Sequence, residues 1–160
     1  MATVNSNLSV YDPGQLPSGE DLLVALVVSE WNTQITESLF EGAYDTLRNH
    51  KVEEKNISRI NVPGSFELIY GAKHAQSKGF DVVIVIGSMI QGETKHFDFV
   101  CQGVSQGIKD LNIQSKIPVI FCVLTDNTLQ QAIDRSGGQF GNKGIEAAVA
   151  ALKMAFLSKQ

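Results

Sequence analysis

The run Val82-Val83-Ile84-Val85-Ile86-Gly87-Ser88-Met89-Ile90-Gln91-Gly92-Glu93-Thr94-Lys95-His96-Phe97-Asp98 decides how this chain folds. The segment from Val82 to Ile86 is wholly apolar and β-branched, the composition of a short strand buried on both faces. Downstream, Phe97, Val100, Cys101, Val104, Ile108 and Leu111 recur at helical spacing. The run therefore predicts a strand, a polar turn and a helix. Gly92 gives the turn freedom to close, and Thr94 is placed as the helix N-cap, so the free N–H groups of the first helical turn face whatever occupies the turn. An anion there gains roughly 0.3–1 kcal/mol from the helix dipole, and more from direct hydrogen bonds. A phosphate is the natural guest. His96 falls beside it in the first helical turn, where an imidazole exchanges protons near neutral pH; local packing is the plainer reading of a lone histidine.

The same alternation extends in both directions. Leu22-Leu23-Val24-Ala25-Leu26-Val27-Val28 predicts a strand, Ser29 to Thr33 a turn, and Ile35, Leu39, Phe40, Ala43 and Leu47 one apolar helix face ending near His50. Asn56 to Val62 predicts a less buried strand closed by Pro63-Gly64, followed by a helix from Phe66 to Ser77. Pro118 to Leu124 predicts a further buried strand, Leu129 to Arg135 a short helix ended by Ser136-Gly137-Gly138, and Gly144 to Leu157 a last helix. Strands alternating with helices pair in parallel through right-handed crossovers, with helices on both faces of the sheet. Ligands of such folds sit beyond the carboxyl ends of the strands. The turns at Trp31-Asn32, Pro63 to Glu67, Ser88 to His96 and Thr125-Asp126 are thus the places to look for chemistry.

Composition narrows the function. The chain has 160 residues, 43% hydrophobic and 19% charged, enough for one domain with an ordinary core. We read residues 1–21 as an N-terminal arm and 22–160 as a single domain. A net charge of -4 argues against a general nucleic-acid surface. Cys101 and Cys122 have neither metal-site spacing nor the number of a disulfide framework, and read as reduced core residues. The polar arm, with Pro13, Gly14 and Pro17, lacks the pattern of a signal peptide, and no apolar run approaches the roughly 20 residues that span a bilayer, so a cytoplasmic location is expected and no membrane association.

Trp31, directly after a buried strand, is either a flat stacking surface for a ring or a packing cap. Ser65-Phe66-Glu67 offers a second ring and a carboxylate able to accept from a heterocycle, although Ser and Glu also open helices as capping residues. Arg135 is a fork-like partner for a single phosphate. Gly141-Asn142-Lys143-Gly144 lacks the spacing and the preceding strand of a nucleotide triphosphate loop. A phosphoryl-accepting signalling domain would need acidic residues after the first and third strands, where this chain has Ser29-Glu30-Trp31 and Gly87-Ser88-Met89.

Taken together, Val62-Pro63-Gly64-Ser65-Phe66-Glu67, Gly92-Glu93-Thr94-Lys95-His96-Phe97, Pro118-Val119-Ile120-Phe121, and Arg135 followed by Gly141-Asn142-Lys143-Gly144 resemble the lumazine synthase family of riboflavin biosynthesis, in the family's order and from Leu22 to Met154. The resemblance implies a three-layer α/β/α sandwich with a flavodoxin-like four-stranded parallel sheet, and an N-terminal arm that pairs with a neighbouring subunit. It implies condensation of 5-amino-6-(D-ribitylamino)uracil with 3,4-dihydroxy-2-butanone 4-phosphate, without metal or organic cofactor. His96 matches the family's proton-transfer residue. Trp31, Ser65, Phe66, Glu67, Ser88, Met89 and Ile90 match the ribitylaminouracil site, and Phe121 a pocket residue supplied to the neighbouring subunit. Glu93, Thr94 and Arg135 match the butanone-phosphate site, with Lys143 expected to support the phosphate or its arginine and Glu146 to orient Arg135.

Two positions depart from the family pattern. Gln91 stands where many members carry Arg or Lys, which removes positive potential near the phosphate. Cys122 replaces a common Gly, which is expected to add bulk near the pocket and to expose a thiol. The resemblance also implies a homopentamer, a 60-subunit icosahedral shell as in members whose connection matching Arg135 to Lys143 is short, and a riboflavin synthase partner. A ribityl-flavin binder without turnover, and the related riboflavin synthase that dismutates lumazine, remain alternatives at the level of sequence.

Overall fold

The computed structural model describes residues 7–160. Its main sheet is built from β1 (Val24–Ser29), β2 (Ile57–Val62), β3 (Val82–Ile90) and β4 (Val119–Asp126), in the order β2-β1-β3-β4, and every neighbouring pair is parallel. β3 is longer than its apolar run predicts and carries Gly87, Ser88, Met89 and Ile90 inside the strand. Packing explains the extension at Gly87. A Cβ there would lie 2.8 Å from Leu68 Cδ1 and 2.9 Å from Ser65 Oγ, so the glycine lets neighbouring elements press against a strand rather than opening a turn. β2 is the least buried strand, as its mixed composition predicts.

Alternation along the strands divides the core in two. Val24, Leu26 and Val28 of β1, Ile84 and Ile86 of β3, and Cys122 and Leu124 of β4 face one way. They pack against α1 (Thr33–Asn49) and α5 (Lys143–Leu157). Ala25 and Val27, Val83 and Val85, and Val119 and Val123 face the other way, against α2 (Leu68–Gln76) and α3 (His96–Gln114). The short α4 (Leu129–Arg135) follows β4 and leads into a feature the sequence did not suggest, an antiparallel ribbon of β5 (Ser136–Gly138) and β6 (Gly141–Asn142).

That ribbon closes the α1–α5 contact. Asn142 caps α5 by accepting from Gly144 N–H at 2.7 Å, and its Nδ2 donates to Ser38 O of α1 at 2.8 Å. A Cβ on Gly144 would lie 1.9 Å from Leu39 O, so the two helices meet backbone to backbone. The arm's expected pairing with a neighbour lies partly outside the described residues. Within them, Leu8 N–H donates to Phe140 O, Ser9 Oγ accepts from Asn142 N–H, and Pro13–Gln15 forms a 3₁₀ turn.

Candidate active site

β1 has β2 on one side and β3 on the other, so the chain reverses its direction of winding between the carboxyl ends of β1 and β3, and a crevice opens there. A cavity of about 780 Å³ occupies it. Trp31 stands on its rim, 70% exposed. Asn32 follows in the left-handed region at φ 58°, which asparagine tolerates better than most residues, and its Nδ2 donates to Ser88 O at 2.9 Å. This bond ties the turn after β1 to the end of β3.

The turn after β2 supplies the second wall. Ser65 is buried, while Phe66 and Glu67 are exposed into the cavity just before α2 begins. Phe66 rests on α3 where Gly103 leaves room: a Cβ there would lie 2.9 Å from the ring. The end of β3 supplies the floor, through Ser88, Met89 and Ile90. Ser88 is fully buried and its Oγ has no hydrogen-bond partner among the described residues, so it is a polar group held ready for a ligand. Met89 Sδ is 3.8 Å from Cys101 Sγ on α3.

Gly92, Thr94 and His96 line the third wall. Helix α3 starts at His96, with Lys95 rather than Thr94 as its N-cap. Thr94 Oγ1 still accepts from His96 N–H, at a long 3.4 Å. Gly92 has neither a left-handed backbone nor any atom within 4 Å of the place a Cβ would occupy, so the turn does not require glycine. His96, Phe99, Val100 and Gly103 share one face of α3, a spacing of three and four residues that makes Phe99 and Val100 cavity residues as well. The sequence carried that signal, and Asn32 and Phe97 join the same walls.

Not every expected site residue is gathered here. Glu93 is exposed on the turn but does not line the cavity. Phe121 is half-buried on β4, on the α2–α3 side of the sheet, and is not a wall. Arg135 also lies outside the walls, at the end of α4, where Nη1 donates to Gln131 O at 3.0 Å and the guanidinium sits 5.2 Å from the centre of the Phe140 ring. Lys143 and Glu146 pair at 2.6 Å within α5. Cys122 departs most from expectation. It faces α1 and α5, is fully buried, and burial pushes its thiol up to about 12. Neither bulk at the pocket nor an exposed thiol results.

The cavity walls join apolar rings to a few polar groups, the usual make-up of a small-molecule site. Among the described residues, Glu67 and His96 are the only titratable side chains of these walls, and no Lys or Arg lines them. The chemistry of these walls suits a flat heterocycle held between rings, a carboxylate to accept its hydrogen bonds, and an imidazole able to move a proton at one end. Among the described residues no group of His, Cys, Asp and Glu comes together to hold a metal, and no helix is long and apolar enough to cross a membrane.

Nearly the whole chain matches one known family. The profile of the 6,7-dimethyl-8-ribityllumazine synthase family matches residues 21–159. Proteins named 6,7-dimethyl-8-ribityllumazine synthase from Flavobacterium johnsoniae and Christiangramia forsetii are 63% and 59% identical to the chain, each over 161 residues. These alignments cover 100% and 99% of this chain, and 85% and 96% of the relatives. The protein of that name from Parabacteroides distasonis is 53% identical over 155 residues, covering 96% of this chain and 97% of its own length. The chain therefore belongs to the 6,7-dimethyl-8-ribityllumazine synthase family.

Proposed function

We propose that this chain condenses 5-amino-6-(D-ribitylamino)uracil with 3,4-dihydroxy-2-butanone 4-phosphate to 6,7-dimethyl-8-ribityllumazine, phosphate and water. The observation that carries the reading is the switch-point cavity, which in a member of this family gathers Trp31, Ser65, Phe66, Glu67, Ser88, Met89, Ile90, Thr94 and His96 around one volume.

The pyrimidine lies between the rings of Trp31 and Phe66, with Glu67 accepting from its N–H groups and Ser88 Oγ meeting a polar atom. A pyrimidine amine attacks the ketone, the adduct loses water to an imine, phosphate is eliminated, and the second amine closes the ring on the carbonyl so formed with loss of a second water. His96 moves the protons of these steps, a contribution on the order of 10²–10⁴-fold in rate. Orientation of the two substrates in a fixed crevice supplies much of the rest.

The phosphate lies towards Glu93, Thr94 and Arg135. Phe121 and Arg135 stand outside the walls of their own chain's cavity and complete that of a neighbouring copy, with Lys143 and Glu146 supporting the arginine's end of the site. The assembly is a homopentamer, and the exposed aromatic side chains beside the cavity support an interface there. The short β5–β6 connection favours the 60-subunit shell, and residues 1–21 extend a neighbour's sheet. The protein works in the cytoplasm beside a riboflavin synthase that consumes its product.

The test is a mixture of the two substrates with purified protein, following lumazine formation against the slow spontaneous reaction. Protein-dependent acceleration is expected. No acceleration by well-folded protein would overturn the reading, and riboflavin formed from lumazine alone would assign the dismutation instead.

A further inference from the structure

Asp126 closes β4 at the carboxyl edge of the sheet, in one of the four post-strand turns where chemistry is expected, but in no motif. Its main chain is fixed, paired in register with Ile90 and accepting from Gln91 N–H at 2.9 Å. Its side chain is 7% exposed. One carboxylate oxygen, Oδ2, is buried without a hydrogen-bond partner among the described residues, and the other lies 3.6 Å from Arg135 Nη1. Burying an acid with so few partners is unfavourable, and a strand end needs no acid there. The arginine in front of it is 37% exposed.

The acid thus lies behind the cation. Arg135 is held from three sides: by Asp126, by Gln131 O, and by the Phe140 ring. Its Nε and Nη2 make no hydrogen bond among the described residues, and these form the edge with which a guanidinium grips a phosphate by two parallel bonds. The connection between the paired residues is itself fastened, since Asn127 N–H donates to Gln131 Oε1 at 2.8 Å and Thr128 Oγ1 accepts from Gln131 N–H at 3.2 Å.

We propose that Asp126 is a positioning residue that fixes the Arg135 guanidinium for the phosphate ester of the butanone substrate and so sets the affinity for that substrate. The inference rests on the reading that Arg135 binds that phosphate. Without Asp126 a long side chain with several rotatable bonds must be ordered by the substrate itself, which weakens binding. The effect falls on the phosphate-bearing substrate and spares the pyrimidine.

The experiment compares wild type, Asp126→Asn, Asp126→Glu, Arg135→Ala and the Asp126→Asn/Arg135→Ala double variant in the two-substrate assay, with inorganic phosphate as a competing ligand. Asp126→Asn is expected to raise KM for the butanone phosphate and the inhibition constant of phosphate by roughly 3- to 30-fold, the range of couplings between residues of one network. KM for the pyrimidine stays unchanged, and Asp126→Glu recovers part of the loss. In the Arg135→Ala background, Asp126→Asn changes nothing further. An unchanged or lowered KM in Asp126→Asn, with Arg135→Ala impaired, overturns the inference. If Arg135→Ala itself leaves that KM unmoved, the reading of Arg135 falls instead. Should the amide disturb the strand, Asp126→Ser removes the charge with a smaller side chain and is judged by the same comparison.

Discussion

The two faces of the sheet are finished to different degrees. On the α1–α5 face no large apolar side chain of α1 is exposed, and those of α5, Met154, Phe156 and Leu157, lie in its last turn. On the α2–α3 face Phe66, Tyr70, Phe99 and Ile113 are all more than half exposed. The chemistry follows the same division. Phe66, Glu67, His96, Phe97, Phe99 and Val100 reach the cavity from the unfinished side, and Trp31, Asn32 and Ile90 from the other. One face is closed over; the other leaves large apolar side chains exposed and supplies most of the cavity walls.

The sharpest break between the two is expected at His96. His96→Ala should lower the rate of lumazine formation by about 10²–10⁴-fold, with an unchanged denaturation midpoint because the side chain is exposed. A matching loss of stability would show that the residue packs rather than reacts. Gly144→Ala should do the reverse. Its new Cβ collides with Leu39 O, so helices α1 and α5 must separate, at a cost of about 2–4 kcal/mol in urea denaturation, while activity per folded molecule holds.

Assembly comes next in size. Tyr70→Asp, on α2 and outside the cavity, places a charge on the unfinished face and should weaken association by about 2 kcal/mol or more per contact. Sedimentation velocity measures it, and an undiminished assembly would mean that the face is not an interface. The smallest effect belongs to Glu37 on α1. Arg59 grips both of its carboxylate oxygens and lies 4.5 Å over the Phe40 ring, and this hydrogen bonding holds the Glu37 carboxyl below its usual range. A depressed carboxylate stabilises the fold above its unfolded pKa and loses that contribution as pH falls through the folded one. Glu37→Gln should therefore cost at most about 1 kcal/mol near neutrality, since the pair is partly exposed, and nothing in strong acid.

Periodicity made most of the scaffold legible before any coordinates. The strands, the long helices and the order of turns follow from where apolar residues recur, because burial of those residues is what holds the layers together. What escaped depended on contacts between distant segments. Gly87 and Ser88 read as turn formers, yet the approach of Leu68 and Ser65 keeps Gly87 in the strand. The β5–β6 ribbon is short and rich in glycine, and only the docking of Asn142 on α1 gives it shape. Cys122 is the buried, reduced core residue that composition suggests, and the pocket-side expectation fails because neighbours along a strand point to opposite faces and Phe121 is the residue expected at the pocket. Of the site, the turns from Ser65 to Glu67 and from Gly92 to His96 were visible as motifs. Asn32 and Asp126 were marked only by their place in post-strand turns, because their particular significance lies in a bond to Ser88 and a pairing with Arg135.

Trp31 is the one tryptophan of the sequence, and it stands exposed on the cavity rim. The intrinsic indole emission of the protein thus originates at a single place, the mouth of the crevice, with no background from the core. Its wavelength reports the polarity at that mouth, and an absorbing heterocycle stacked on it extinguishes the signal. Nature has in effect built the chain with its own optical probe of occupancy, readable without label or coupling enzyme.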